Sequence, residues 1–296
     1  MSRTAVHNAN SAIEERLNEQ ALELEEHLGS DVLSFVGPIV SGVDDVIREA
    51  VEARVVRRRR LAVIVETDGG YIEVTPRIAD TLRRHYRRVE FIVPNHAMSA
   101  GTVLVMAGDA IHMDYYSVLG PIDPQVQRPG GGGFIPALGY LVQYERLMQK
   151  AVDGKLNSAE LTLLVQKYDP AELYRYEQAR QLSVTLLKEW LTKFKFKNWK
   201  TTKSRGLPVT PAMRERRAEE VAHCLNDTGR WHSHGRGISM QVLRQVVKVE
   251  IEDFGQDKDG NRLVRGYHRL LVDYMRKLGH SGALHWTGHY TPFMVG

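Results

Sequence analysis

Cysteine is almost absent: among 296 residues only Cys224 carries a thiol, which excludes an intrachain disulfide and every multi-cysteine zinc or iron–sulfur site. No apolar run approaches the length of a membrane span, and the opening segment, MSRTAVHNANSAIEERLNEQ, lacks the apolar core that a secretory signal needs. These absences read as a soluble, cytoplasmic chain. No GxxxxGK[ST] loop occurs, so that mode of ATP binding is missing, and no internal repeat is present. Neither sign of charge dominates, with 40 Lys and Arg against 36 Asp and Glu, and a net charge of +4 names no nucleic-acid partner. The 43% hydrophobic and 26% charged content excludes a disordered chain and suffices for one large or two average domains.

What is present changes character along the chain. Residues 11–28 read as a polar helix ended by Gly29, an arm (1–30) that packs on a neighbour. From residue 31 short buried strands, VLSFVG (32–37), LAVIVET (61–67), VEFIVP (89–94) and AIHM (110–113), alternate with helical periodicity at 43–56 and 73–86. Such alternation predicts an α/β core with a mainly parallel sheet over residues 31–135. After the glycine run Gly130–Gly133 the chain reads as mainly helical from 136 to 278, a continuation of the same domain, with helices at 136–151, 158–168, 170–195, 211–225 and 267–278. A strand is expected at 246–251, and residues 279–296 read as a tail.

Small residues follow the strand ends at three places. Asp68-Gly69-Gly70 comes directly after LAVIVET, where paired glycines leave backbone N–H groups free to face a cleft, or simply make a turn. NHAMSAGT (95–102) places Ser99 at a strand-to-helix corner with the N–H of Ala100 beside it, the arrangement of a nucleophile or of an N-capping serine. YSVLGPIDPQ (116–125) forces an irregular loop that would lie over Ser99.

In this order, ETDGG, AMSAGT and LGPIDPQ resemble the Clp-protease/crotonase superfamily, and most closely the serine dehydrogenase proteinase branch related to signal-peptide peptidase A. The resemblance runs weakly from about residue 31 to about residue 250. It implies a Clp/crotonase-like spiral of ββα units with a helical C-terminal half, a homo-oligomer, and metal-free, cofactor-free hydrolysis of peptides or unfolded protein. Ser99 falls on the family's nucleophile and Gly69 and Gly70 on its oxyanion glycines, with Ala100 adjoining. Asp68 stands where the family usually has proline and would set a carboxylate beside the oxyanion site.

The general base stays open. No histidine occupies LGPIDPQ, where Clp subunits carry theirs; Asp123 is there, to orient a base or cap a turn. Lys150 or Lys155 would serve if desolvated, and His234, in WHSHGRGIS at a position resembling the family's late histidine-glycine-arginine motif, ranks level with Lys150. His96 is a weaker candidate, and a metal site of His223, His232 and His234 ranks below these readings. The arginine run Arg57–Arg60 reads as a helix-end cap. Residues 193–217 hold nine basic residues, one acid and the interleaved Phe194, Phe196 and Trp199, which suit peripheral membrane or nucleic-acid contact or an amphipathic edge. A catalytically weak or inactive assembly or binding platform for a membrane surface or nucleic acid, and a crotonase-type acyl-CoA enzyme, are the rival readings.

Overall fold

The computed structural model describes residues 8–123, 125–127, 134–202 and 206–293. The chain opens with α1 (Ala9–Leu28) and then alternates β1 (Asp31–Val36), α2 (Val43–Ala53), β2 (Arg60–Glu66), α3 (Thr75–His85) and β3 (Arg88–Ile92). Next come β4 (His96–Ala97), α4 (Ala100–Val105), β5 (Ala110–Met113) and β6 (Val118–Leu119). The hairpin of β7 (Gln125–Gln127) and β8 (Phe134–Pro136) leads into α5 (Ala137–Val152), α6 (Ser158–Lys167), α7 (Pro170–Trp190) and α8 (Pro211–Leu225). The chain closes with α9 (Thr228–Trp231), β9 (Ile238–Ser239), α10 (Met240–Val242), β10 (Glu252–Asp253), α11 (Lys258–Lys277), β11 (Gly282–Trp286) and β12 (His289–Phe293).

The main sheet has seven strands in the order β10-β5-β3-β2-β1-β11-β12, parallel from β10 to β1 and antiparallel at β11 and β12. Its inner strands are apolar on both faces, because each face is covered by helices. Along β2, Leu61, Val63 and Val65 join the core under α2, α3, α4 and α7, while Ala62 and Ile64 join the core under α1 and α11. The fold is α/β as expected. A second, three-stranded sheet, β4-β6-β9, stands beside the ends of β2 and β3 and carries the candidate site.

Several sequence expectations change. The neighbour on which the N-terminal helix packs is α11 of the same chain, through Leu17, Ala21 and Leu24 against Val264, Tyr267 and Leu271. The expected strand at 246–251 is a π-turn at Leu243–Val247 followed by irregular chain, with Lys248 in the left-handed region at φ 59°. Its alternation is nevertheless used, since Val247, Val249 and Ile251 are all buried, but the paired strand begins only at Glu252. The helix expected at 267–278 begins at Lys258, capped by the Asp257 carboxylate, which accepts from the Gly260 N–H at 3.0 Å. Most of the expected tail is the β11–β12 hairpin, and β11 pairs with the central strand β1. Gly130–Gly133, Pro124 of the LGPIDPQ loop and 203–205 of the basic stretch lie outside the described residues.

Candidate active site

β2 and β3 run out of the main sheet into the two loops of interest, and a backbone ladder joins those loops. The Thr67 N–H donates to the His96 carbonyl at 3.2 Å and the Met98 N–H to the Thr67 carbonyl at 2.9 Å. Beneath them the Asn95 amide donates to Glu66 at 2.6 Å, and His268 of α11 stands 3.1 Å from the same oxygen. Burial alone would raise the Glu66 pKa, but the hydrogen bonds and charge it meets at His268 and Asn95 outweigh that and hold it below the usual carboxylate value.

At the turn from β4 to α4, Ser99 adopts φ 53° and ψ −120° and makes no side-chain capping bond. Its hydroxyl is therefore not spent as an N-cap, and a backbone region unfavourable for an L side chain holds it at the corner. α4 has six residues, too few for a full macrodipole, so backbone donors rather than the helix dipole are what this corner offers a developing charge. Thr102 ties the corner down: its hydroxyl stands 2.7 Å from the Ala97 carbonyl and 3.0 Å from that of Gly120, and it accepts from the Gly120 N–H at 2.9 Å.

Gly69 packs directly on this corner, whereas Gly70 packs on the backbone of Ile39. A Cβ on Gly69 would lie 2.7 Å from the Met98 carbonyl oxygen, 2.8 Å from the Ser99 Cβ and 3.2 Å from the Ala100 nitrogen. Gly69 gives its own N–H to the Thr67 hydroxyl at 3.0 Å. The N–H groups of Gly70 and Ala100 meet no protein acceptor among the described residues. Asp68 turns away from them: its side chain is 94% exposed and reaches His96 Nε2 at 3.0 Å.

Asp123 and His234 are brought together. His234 Nδ1 is 3.0 Å from Asp123 Oδ1, and Asp123 is buried. Lys150 is not desolvated; its side chain is 51% exposed and its ammonium stands 2.5 Å from Glu160. Lys155 is more exposed still. His223 stands on the exposed side of α8 near Glu219, and among the described residues no three His, Cys, Asp or Glu side chains converge as a metal site would require.

Residues 27–203, more than half of the chain, match the model of the ClpP-like SDH-type serine proteinases. The chain belongs to this family. Two uncharacterized proteins of Methanocaldococcus jannaschii are similar: one is 36% identical over 94 residues, covering 32% of this chain and 30% of that protein. The other is 44% identical over 64 residues, covering 22% of each. The chain thus spans under a third of the length of the curated relatives it matches. Among solved structures, a serine-to-alanine mutant of the membrane-bound stomatin-specific protease 1510-N is 12% identical, with 77% of this chain and 82% of that one covered and a TM-score of 0.42. A lysine-to-alanine mutant of it in complex with a substrate peptide gives 12%, 75%, 73% and 0.41. His234 lies beyond the family match, whereas Ser99, both glycines and Asp123 lie within it.

The basic stretch is turned inward at its aromatics. The Arg83 guanidinium lies 3.8 Å from the Phe194 ring centroid, Phe196 is buried against Trp199, and Lys197 pairs with Asp109. Burial also lowers the pKa of Lys195. Arg57 caps α2, donating to the carbonyls of Val51 and Glu52. No helix among the described residues is long and apolar enough to cross a membrane. Sequence reasoning missed Thr67 and Thr102, which commit their hydroxyls to the loops; their positions beside the glycine pair and Ser99 were the available signal.

Proposed function

We propose that the chain is a serine peptidase. Ser99 attacks the peptide carbonyl, the N–H groups of Gly70 and Ala100 receive the oxyanion, and the Asp123–His234 couple handles the proton. The observation that carries this reading is the Ser99 corner itself, a strained backbone whose hydroxyl caps nothing, with Gly69 pressed against it and an Ala100 N–H that meets no acceptor among the described residues. Gly69 is a spacer, because its N–H is already engaged. Asp68 does not blunt the site, since its carboxylate points to His96.

The substrates proposed are peptides or unfolded segments, handled in the cytoplasm by a homo-oligomer. Leu161, Leu163 and Val165 on α6, all exposed in a helix with no buried residue, support self-association. Inward-facing aromatics speak against the membrane or nucleic-acid platform. A fluorophosphonate probe tests the reading: Ser99 is expected to be the labelled residue, and Ser99→Ala to lose labelling and at least about 1,000-fold in peptide turnover. A folded wild-type protein that takes up no probe and turns over peptide no better than Ser99→Ala would sink it.

A further inference from the structure

Two exposed side chains bracket the glycine loop, and the fold uses neither. Asp68 precedes Gly69 and Tyr71 follows Gly70; the Asp68 side chain is 94% exposed and Tyr71 is 56% exposed. Their positions are nevertheless fixed by the backbone. The Ile39 N–H donates to the Gly69 carbonyl at 2.8 Å, and the Tyr71 N–H donates to the Ile39 carbonyl at 2.8 Å. Among the described residues the Asp68 carboxylate has one side-chain partner, His96 Nε2 at 3.0 Å from Oδ1, and the Tyr71 ring and hydroxyl have none. A large aromatic side chain held in water beside a candidate active site is a surface with something to meet.

Both side chains start close to the reacting bond. A Cβ on Gly69 would lie 2.8 Å from the Ser99 Cβ, and successive Cα atoms are about 3.8 Å apart, so the Asp68 Cα lies within about 8 Å of the Ser99 Cβ. Tyr71 is bonded directly to Gly70, whose N–H is offered to the oxyanion. An extended peptide advances about 3.3 Å per residue, so the residues flanking its scissile carbonyl bring a long side chain within reach of both. Nearby charges leave Asp68 uncancelled. Arg265, hydrogen-bonded to Asn95 beneath the loop, is committed to Asp114, whose Oδ2 it meets at 2.5 and 3.0 Å. A carboxylate on one side of the glycine pair and an aromatic ring on the other suit a cation carried on an alkyl stem, and they disfavour an acid.

Resting on the serine-peptidase reading, we infer that Asp68 and Tyr71 form a specificity subsite, and that the favoured peptides carry lysine or arginine beside the scissile bond. The Tyr71 ring packs along the alkyl stem of that side chain. The free oxygen of Asp68 receives its cationic end, while His96 holds Oδ1 and limits the rotamers of an otherwise unrestrained carboxylate. Asp68 thus selects the substrate and takes no part in the proton transfers at Ser99.

The test uses internally quenched peptides that carry lysine, norleucine or glutamate on either side of one fixed bond, with the cleavage point mapped by mass spectrometry. At low salt wild type is expected to favour the lysine peptide over the glutamate peptide by about 5- to 10-fold in kcat/KM, with norleucine between them and the ratio shrinking at high salt. Asp68→Asn is expected to bring lysine and glutamate within about 2-fold of each other, and Asp68→Lys to invert their order. Tyr71→Ala is expected to slow the lysine and norleucine peptides alike, by about 3-fold, because it removes contact with the stem and leaves the charge. Thermal melts and fluorophosphonate labelling of Ser99 in each variant check that the fold and the corner persist. A lysine preference that survives Asp68→Asn, or wild type that cuts lysine and glutamate peptides equally at low salt, would overturn the inference while leaving Ser99 as the nucleophile. Wild type that takes up no probe and cuts every peptide no faster than Ser99→Ala would instead bring down the reading beneath it.

Discussion

At φ 53° and ψ −120°, the Ser99 backbone carries roughly 1–3 kcal/mol of strain for a residue with a side chain. Small residues make room for it: a Cβ on Gly101 would sit 2.3 Å from the Thr67 methyl, and Gly69 is pressed against Met98 and Ser99 at φ +99°. Gly69→Ala should therefore both strain its own backbone and displace Ser99 together with the Ala100 N–H. About a 100-fold loss of peptide turnover and about 1–3 kcal/mol of stability are expected, read by initial rates and thermal melts. Gly266→Ala, at an exposed position of α11 where the added carbon meets only the Gln20 amide at 3.9 Å, is the control; it should leave turnover unchanged and raise stability by up to about 1 kcal/mol through helix propensity. A folded Gly69→Ala protein with full activity would show that the corner is not held by this contact. That glycine and serine belonged together was legible in ETDGG and AMSAGT. Which glycine offers an N–H was not, because the answer depends on the hydroxyl of Thr67.

At the scale of the element, short pieces escaped the sequence for definite reasons. β4, β6 and β9 have two residues each, too few for any periodicity, yet the candidate groups lie just beyond their ends. The β11–β12 hairpin lies in a segment whose glycines and histidines read as a tail, although Thr287-Gly288 between two alternating runs is a turn signal. In β11, His285 is 1% exposed and bonds the Tyr267 hydroxyl through Nδ1 at 2.7 Å. Burial pushes its pKa from 6.5 down to about 4. Between these values the unfolded chain binds the proton and the folded chain does not, so stability is full above pH 6.5 and falls as the pH drops toward 4, by up to about 3 kcal/mol. Denaturant melts of wild type and His285→Gln across that window are expected to differ in slope by close to one proton. Parallel pH profiles would mean that His285 titrates in the fold as it does in the unfolded chain.

For the whole molecule, the main sheet is closed on its second face by α1 and α11, the two ends of the chain. Leu17 and Leu24 are fully buried there, and α1 is fixed at its start by a capping box between Asn8 and Ser11 and at its end by Gly29 at φ 60°. Leu17→Ala is expected to cost about 2–5 kcal/mol in denaturant melts without altering the probe's selectivity for Ser99, because this face lies across the sheet from α4. A loss below about 0.5 kcal/mol would show that α1 contributes little to the monomer and has its partner elsewhere. The sequence pattern placed a helix at 11–28 but not its neighbour, since many glutamates on a helix look the same whether its narrow apolar stripe meets its own domain or another chain.

The sequence by itself determined the alternation of strand and helix, the double-sided burial of β1, β2 and β3, and the three loops at which small residues gather, because these follow from local periodicity and from residues that permit unusual backbone. The family was legible as well, because ETDGG, AMSAGT and LGPIDPQ follow one another within the residues 27–203 that match its model. Tertiary structure alone decided that His234 meets Asp123 across 111 positions, that Lys150 faces water, that Asp68 turns to His96, and that the last strands complete the central sheet. The physical reason is common to all four: each depends on which side chain another segment presents at a shared strand register or helix face, and no local pattern encodes the partner.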